Sequence, residues 1–220
     1  MKCKCDCFSD MDNFEFIECL KAGVVDVNKS FRKDLTICMM TYNDAETITA
    51  CLKALLKQNI ICKVIIFDYE SKDGTFELLK IQIKNKVYRP LKIELISQKV
   101  KGDKYTRKRH FRKNVLKLVK TKYIMFLTAN ILIPPYSIPL LLEELEKDDK
   151  LAMIGLKYEP NVPHVQLGAT ILRTELVKKI DWHKYLECTC RNAREQLIAD
   201  GWRIKNHDKL TAIRLSNLLK

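Results

Sequence analysis

The stretch 62-CKVIIFDYESKDGT-75 places an apolar run, a carboxylate and a turn signal in immediate succession. A short apolar run bounded by polar residues is typical of a buried strand, and it predicts a strand over Cys62–Phe67 that ends at Asp68. The following 73-DGT-75 has the composition of a helix start, which predicts a helix to about Lys86. The stretch therefore predicts one strand–helix unit with an acidic residue at the tip of the strand.

The same order, an apolar strand pattern followed by a helical pattern, recurs on both sides of this unit. Strands that alternate with helices are typical of a parallel sheet, so the sequence predicts an α/β fold with a mostly parallel, Rossmann-like sheet flanked by helices in a single domain. We place this domain at 35–220 and an N-terminal extension at 1–34, with a short helix over Asn13–Ala22. The further predicted strands are Leu35–Thr41, Leu91–Ile96 and one starting at Tyr123, and the further predicted helices are Thr47–Gln58, Arg107–Lys120 and Tyr136–Leu145.

Composition and charge limit the class of protein. The chain has 220 residues, of which 47% are hydrophobic and 30% charged, and this excludes a disordered protein and predicts one core. The net charge of +13 favours polyanionic partners, namely nucleic acid, an acidic membrane surface or phosphorylated substrates. The N-terminus lacks the apolar run of a signal peptide, and prolines interrupt the uncharged window 123–142, so we expect a cytoplasmic protein without a transmembrane segment.

The cysteines are numerous but do not form a zinc motif. The sequence has nine of them, and none forms a C-x-x-C pair, which gives little support to a zinc ribbon or finger. We expect Cys38, Cys51 and Cys62 to be ordinary thiols in the core. Disulfides, as in intracellular proteins of hyperthermophiles, are the alternative.

Polar residues follow three of the predicted strands, at 41-TYN-43, from Asp68 onward and at 128-TAN-130. Ligands of parallel α/β sheets bind beyond the carboxyl ends of the strands, so we expect these residues to meet in one crevice. Tyr42 offers a ring for stacking on a base, and Asp68 offers acceptors for a base N–H or a ribose hydroxyl. Arg112, in the basic run 107-RKRHFRK-113, can neutralise phosphate. The residues alone predict a pocket for a nucleoside diphosphate.

Two of these features have plainer interpretations. Tyr42 and Asn43 are also compatible with a simple turn, because Asn favours turns. Asp73 is better explained as a helix N-cap than as a ligand, and most of the basic run as a solvated helix face.

Four motifs, in order, resemble those of inverting family-two glycosyltransferases of the GT-A fold. The second is similar to the family's V-D-x-x-S-x-D-G-T pattern. The resemblance runs from about Leu35 to His207, and it implies an enzyme that passes a sugar from a nucleotide-diphosphate sugar donor to an acceptor hydroxyl. The motifs are 37-ICMMTYND-44, 66-IFDYESKDGT-75, 123-YIMFLTANILIPP-135, and 168-GATILRTELVKKIDW-182 followed by 201-GWRI-204.

The resemblance assigns nucleotide-binding roles residue by residue. Tyr42 matches the position that stacks on the base, and Thr41 matches its neighbour in the same loop. Asp68 matches the aspartate that contacts base or ribose. Arg112 matches the arginine of the family's A-R-N motif, although Lys113 replaces the asparagine.

The third motif departs from the family at its metal site. The family's D-x-D aspartates hold a divalent metal on the diphosphate, and here they are Thr128 and Asn130. Asn130 can still offer a carbonyl oxygen to Mg²⁺ or Mn²⁺, which makes it a weak candidate ligand without negative charge. Thr128 and the backbone of Ala129 can hydrogen-bond a ribose. The resemblance therefore implies a Mn²⁺ or Mg²⁺ cofactor, and the altered motif puts its necessity in doubt.

The family's general base is altered as well. The position of its aspartate is occupied by Cys190, and a thiol is a poor base for a sugar hydroxyl. If the segment is helical, Glu187 lies one turn before Cys190 on the same side, whereas Glu195 lies about 140° round the helix. We therefore predict Glu187 as the base and Glu195 as the second candidate. An ion pair between Glu187 and Arg191 is the structural alternative.

Two histidines, His164 and His207, are further candidates near the acceptor or the diphosphate, and a structural role is the simpler explanation of each. Since both carboxylate motifs are altered, a degenerate relative that binds nucleotide or glycan without turnover is the main alternative to an enzyme. A nucleotidyltransferase on a similar sheet is a further alternative. A nucleic-acid-binding protein has only the net charge in its favour, because no reader motif is present.

Overall fold

A computed structural model describes residues 30–159 and 164–215 of the chain. The helix predicted at Asn13–Ala22 lies outside these residues. Within them, strands and helices alternate as predicted up to the strand that begins at Tyr123, and a two-residue strand, Ile131–Leu132, follows that strand before the next helix. The strands are β1 Ser30–Thr41, β2 Ile60–Asp68, β3 Lys92–Ser97, β4 Tyr123–Thr128, β5 Ile131–Leu132, β6 Leu151–Glu159, β7 Ala169–Arg173 and β8 Arg203–Arg214. The helices are α1 Ala45–Leu56, α2 Thr75–Lys84, α3 Lys104–Leu118, α4 Ser137–Lys147, α5 Thr174–Val177 and α6 Thr189–Ala199.

The strands form one eight-stranded sheet in the order β3-β2-β1-β4-β7-β6-β8-β5. β3, β2, β1 and β4 are parallel to one another, and β6 is parallel to β8. β7 pairs antiparallel with β4 and β6, and β5 pairs antiparallel with β8, which completes the sheet. The prediction of a mostly parallel α/β sheet in a single domain is confirmed, with antiparallel pairing confined to the second half of the chain.

The core lies on both faces of the sheet, because successive residues of a strand point to opposite faces. Ile37 and Met39 of β1 join one apolar cluster, with side chains of α1, α2 and α4. Cys38, between them, joins the other cluster, with side chains of α3, α5 and α6. Helices therefore cover both faces and leave the carboxyl edge of the parallel strands open for a site.

The predicted core cysteines and the membrane expectation can be compared with this fold. Cys38, Cys51 and Cys62 are buried free thiols, as predicted. Cys51 donates a hydrogen bond to the carbonyl of Ala129 at 2.9 Å, which ties α1 to the end of β4. Among the described residues, the helices are all too short or too polar to cross a bilayer.

Candidate functional site at the carboxyl edge of the sheet

The strand register brings the predicted site segments together. Thr41, the last residue of β1, lies opposite Asp68, the last residue of β2. Met40 lies opposite Thr128, the last residue of β4. The three polar strand ends predicted from the sequence therefore lie side by side at one edge of the sheet.

The loop after β1 is held in place by its own polar groups. Thr41 Oγ1 and the Tyr42 backbone N–H both donate to the Asp44 carboxylate, at 2.9 and 3.0 Å. The Tyr42 side chain is 36% exposed, and the guanidinium of Arg107 lies 4.0 Å from the centre of its ring. Asp68 is almost fully buried, and the Ser71 hydroxyl donates to it at 2.5 Å. A flat ring and a carboxylate thus sit on adjacent strand ends.

Asp73 has a structural role that connects two helices, although the N-cap residue of α2 is Gly74 and not Asp73 as we predicted. Its Oδ1 accepts a hydrogen bond from the Thr75 N–H at 3.1 Å at the start of α2, and its Oδ2 accepts from the Ala45 N–H at 2.9 Å. α1 begins at Ala45, two residues before the start that we predicted from apolar spacing. Asp44, beside it, is mostly buried, and burial raises the pKa of its carboxyl group.

The turn after β4 carries an acceptor without a partner. The Thr128 N–H donates to the Gly168 carbonyl at 2.9 Å, which joins this turn to the start of β7. Ala129 is fully buried. Within the described residues, the buried side-chain oxygen of Asn130 has no hydrogen-bond partner. A buried acceptor in this state is costly, so it marks a place where a ligand would be bound favourably.

Beside this turn lies a cavity of about 250 Å³ that we call the cationic cavity. It contains three cationic side chains, and no aspartate or glutamate lines it among the described residues. Lys108 and Arg112 are one turn apart on α3, and Arg214 comes from the end of β8. We had not singled out Lys108 or Arg214 from the sequence. The lining residues are Lys108, Arg112, Thr128, Asn130, Gln166, Leu167, Gly168, Thr189, Cys190 and Arg214.

Arg112 is the most deeply placed of the three cations, with 7% of its surface exposed. Its guanidinium donates to the Leu167 carbonyl at 3.0 Å and lies 3.7 Å from the centre of the Phe126 ring. Its Nε is buried and has no acceptor among the described residues. Burial lowers the pKa of Arg112 to about 10, so the side chain stays charged at neutral pH.

The position of the family's base also lines the cationic cavity. Cys190 Sγ accepts a hydrogen bond from the Leu167 N–H at 3.3 Å. Contact with the Cys188 thiol, together with burial, raises the pKa of Cys190, so it is a neutral thiol. A neutral, buried thiol is not a competent base for a hydroxyl.

The helical geometry that we predicted for Glu187 is wrong. α6 begins at Thr189, so Glu187 precedes the helix and does not share a face with Cys190. It is exposed and lies 3.3 Å from the Arg191 guanidinium, which is the ion pair named as the alternative. Glu195 does lie on α6, where it pairs with Arg194 at 2.6 Å and does not line the cavity.

The two histidine candidates lie in different surroundings. His207 Nε2 is 3.1 Å from the Glu144 carboxylate, and its Nδ1 accepts hydrogen bonds from the N–H groups of Lys209 and Leu210. Both ring nitrogens are therefore used within β8 and its neighbours, which is a structural role. His164 lies near Cys188, at the start of α6.

The residues at the D-x-D position do not fit a carboxylate-held metal. Asn130 offers one neutral oxygen, whereas Mn²⁺ and Mg²⁺ are usually held by carboxylates. The described residues contain no group of three His, Cys, Asp or Glu side chains that could hold a metal ion. The three cations of the cationic cavity would repel a divalent ion placed beside Asn130.

Solved structures with this fold include several glycosyltransferases. A mannosyltransferase from Pyrobaculum calidifontis, solved with GDP-Man and Mn²⁺, has a TM-score of 0.66 at 13% identity over 92% of this chain and 64% of its own. S. aureus TarS, residues 1–349, has a TM-score of 0.60 at 19% identity over 83% and 60%. Glucosyl-3-phosphoglycerate synthase from Mycobacterium tuberculosis, solved with phosphoglyceric acid, has a TM-score of 0.57 at 13% identity over 83% and 71%. These likenesses show the GT-A fold.

The chain is shorter than these neighbours, since it spans 64% of the first and 60% of the second. No curated protein sequence gives a significant match. A family model does match, over residues 36–193, which run from within β1 through β7 to the start of α6. This match covers most of the chain, and the protein belongs to glycosyl transferase family 2.

Proposed function

We propose that the protein is an inverting glycosyltransferase that uses a nucleotide-diphosphate sugar. The observation that carries this proposal is that Asp68 and the loop of Tyr42 lie at the same edge of a GT-A sheet as Thr128, which lines the cationic cavity. In the reaction, the acceptor oxygen forms a bond to the anomeric carbon. The bond from that carbon to the diphosphate breaks, and its electron pair leaves on the diphosphate oxygen. The acceptor proton goes to a carboxylate of the protein.

The nucleotide would lie across the ends of β1, β2 and β4. Tyr42 would stack on the base, Asp68 would accept from base or ribose, and Thr41 would support their loop. Thr128 and the Ala129 backbone would contact the ribose. Arg112 would meet the phosphates. The GDP-Man found in the Pyrobaculum calidifontis neighbour supports a donor of this class.

A metal cofactor contributes little in this proposal. The neighbouring mannosyltransferase was solved with Mn²⁺. Here Asn130 is the candidate ligand from the motif, and its neutral oxygen would bind Mn²⁺ or Mg²⁺ weakly. We therefore place no step of the reaction on a metal.

Glu187 remains our proposed base, with Glu195 second. Glu187 precedes α6, whose first residues line the cationic cavity, so a short movement of this segment would bring it toward an acceptor. Its ion pair with Arg191 is exposed, and such pairs are worth only about 0–1 kcal/mol. Catalytic hydrogen bonds often tighten only once the substrate is bound.

A second candidate function is a relative that binds nucleotide or glycan without turnover. It is favoured by Cys190, because the described lining of the cavity at the family's base position contains no carboxylate. The enzyme and the non-catalytic relative would share the same pocket. They would differ only in whether a group of the protein takes the proton of the acceptor hydroxyl.

The test is to incubate the wild-type protein with UDP and GDP sugars and a panel of hydroxyl acceptors, and to measure release of nucleoside diphosphate. Calorimetry on the same samples measures binding. Release of UDP or GDP that depends on an acceptor supports the enzyme. Binding without release supports the non-catalytic relative, and no binding of any nucleotide contradicts both.

A further inference from the structure

The three cations of the cationic cavity come from two separate elements, α3 and β8, and lie around the same turn. Lys108 and Arg112 are four residues apart on α3, so their side chains leave the helix on one side. Arg214 pairs in register with Ile131, the residue after Asn130. The Leu215 N–H also donates to the Asn130 carbonyl at 2.9 Å. The fold thus places Arg214 directly beside the turn that carries the altered D-x-D motif.

The described residues supply no aspartate or glutamate to neutralise the positive charge of this cavity. Their ion pairs include none with Lys108, Arg112 or Arg214. Arg112 keeps a buried N–H without an acceptor, and burial lowers the pKa of Lys108. Arg112 is buried without a carboxylate partner, which is costly, so an anion in this cavity would be bound favourably.

The first turn of α6 adds to this positive field. Thr189 and Cys190, its first two residues, line the same cavity. The first N–H groups of a helix have no acceptor within the helix, and the helix dipole is positive at this end. The backbone of α6 and the cationic side chains therefore both favour a negatively charged ligand.

The size of the cavity indicates which part of a ligand fits. At about 250 Å³ it is smaller than the pockets of about 300–1,000 Å³ that hold whole drug-sized ligands. It suits a diphosphate rather than a complete nucleotide sugar. The base and ribose would lie outside it, near Tyr42 and Asp68.

We propose that Lys108, Arg112 and Arg214 hold the donor's diphosphate directly and take the place of the divalent metal of the family. This inference rests on the proposed sugar transfer. When the bond to the anomeric carbon breaks, negative charge grows on the diphosphate oxygen. Fixed cations beside that oxygen stabilise the charge without a metal ion. Lys108 and Arg214 are then catalytic residues, because they touch the leaving group.

The test is calorimetry in EDTA with UDP, GDP and inorganic pyrophosphate, on the wild type and on Lys108→Gln and Arg214→Gln. Lys117→Gln is the matched control, since Lys117 is exposed on the same helix and lies outside the cavity. These sites are preferred to Arg112, whose burial makes a folding defect the expected result. Melting temperatures verify that each variant is folded.

We expect wild-type binding of all three probes in EDTA, and at most a weak strengthening on addition of Mn²⁺. Each cavity variant should weaken binding about 10- to 100-fold, the usual worth of a charge-assisted hydrogen bond. Lys117→Gln should bind as the wild type does, and uridine or guanosine should bind all variants equally.

Several results would overturn the inference. One is wild-type diphosphate binding that disappears in EDTA and returns with Mn²⁺. Another is a loss of binding in the cavity variants no larger than in Lys117→Gln. Pyrophosphate binding that the variants lose, without any nucleotide-sugar turnover, would support the cation site and contradict only the proposed function.

Discussion

At the scale of single residues, Tyr42 and Asp68 make the most direct test of the nucleotide position. Tyr42→Ala removes the ring, and stacking on an aromatic side chain is worth about 1–3 kcal/mol per base. We therefore expect Tyr42→Ala to weaken UDP or GDP binding by that amount, and Asp68→Ala to weaken it by a similar amount. Calorimetry measures both. Tyr42→Phe keeps the ring and is the control that should bind normally; unchanged affinity in both alanine variants would contradict the pocket assignment.

Glu187 is the residue on which the choice between enzyme and binder depends. Glu187→Gln keeps size and hydrogen bonding but removes the base, so kcat should fall about 10²–10⁴-fold, with little change in nucleotide affinity. Steady-state release of nucleoside diphosphate measures the first and calorimetry the second. Glu195→Gln is the matched control. Normal turnover in Glu187→Gln with loss in Glu195→Gln would assign the proton transfer to Glu195 instead.

At the scale of elements, Gly168 joins β4, β6 and β7 next to the cationic cavity. A Cβ at this position would lie 2.6 Å from the Tyr158 hydroxyl and 2.9 Å from Thr128 Oγ1. Gly168→Ala should therefore destabilise the fold by about 1–3 kcal/mol, the usual cost of overpacking, and should weaken diphosphate binding by moving Thr128. Chemical denaturation and calorimetry measure the two effects.

Gly74→Ala is the control for that variant. Gly74 has a φ of +89° and open space around its Cα, so alanine there costs backbone strain alone. The left-handed conformation costs about 1–2 kcal/mol in other residues, so stability should fall comparably while diphosphate affinity stays normal. Equal diphosphate affinity in Gly168→Ala and the wild type would show that this junction does not position the cavity.

The elements also show what the sequence could and could not predict. The inner parallel strands are buried on both faces and read as apolar runs, so β2 and β4 were predicted within two residues of their observed ends. β8 has no such signal, because its residues alternate irregularly between buried and exposed and its pairing with β6 shifts register. Arg214 lies at the end of that strand. Its position beside Asn130 depends on the pairing of distant strands, which a local sequence pattern does not predict. The start of α6 was missed as well, because the local pattern did not show that the helix begins at Thr189, after Glu187.

At the scale of the whole molecule, the positive charge bears on metal dependence. The chain carries a net charge of +13, and a group of cations is concentrated where the family places a metal. Since the D-x-D carboxylates are absent and cations neutralise the diphosphate, we expect turnover of a nucleotide sugar to survive EDTA. Added Mn²⁺ or Mg²⁺ should raise the rate only weakly, through Asn130. High salt should weaken donor binding, because it screens the interaction between the cations and the diphosphate.

The measurement is hydrolysis of, or transfer from, a UDP or GDP sugar, in EDTA and with Mn²⁺, at two ionic strengths. Asn130→Asp is an informative comparison, because it restores one carboxylate beside the same cations. That variant should bind Mn²⁺ more tightly and should lose donor affinity in EDTA, since the new charge repels the diphosphate. A complete loss of wild-type turnover in EDTA would mean that other ligands rebuild a strong metal site. It would also mean that the cations alone do not stabilise the leaving group.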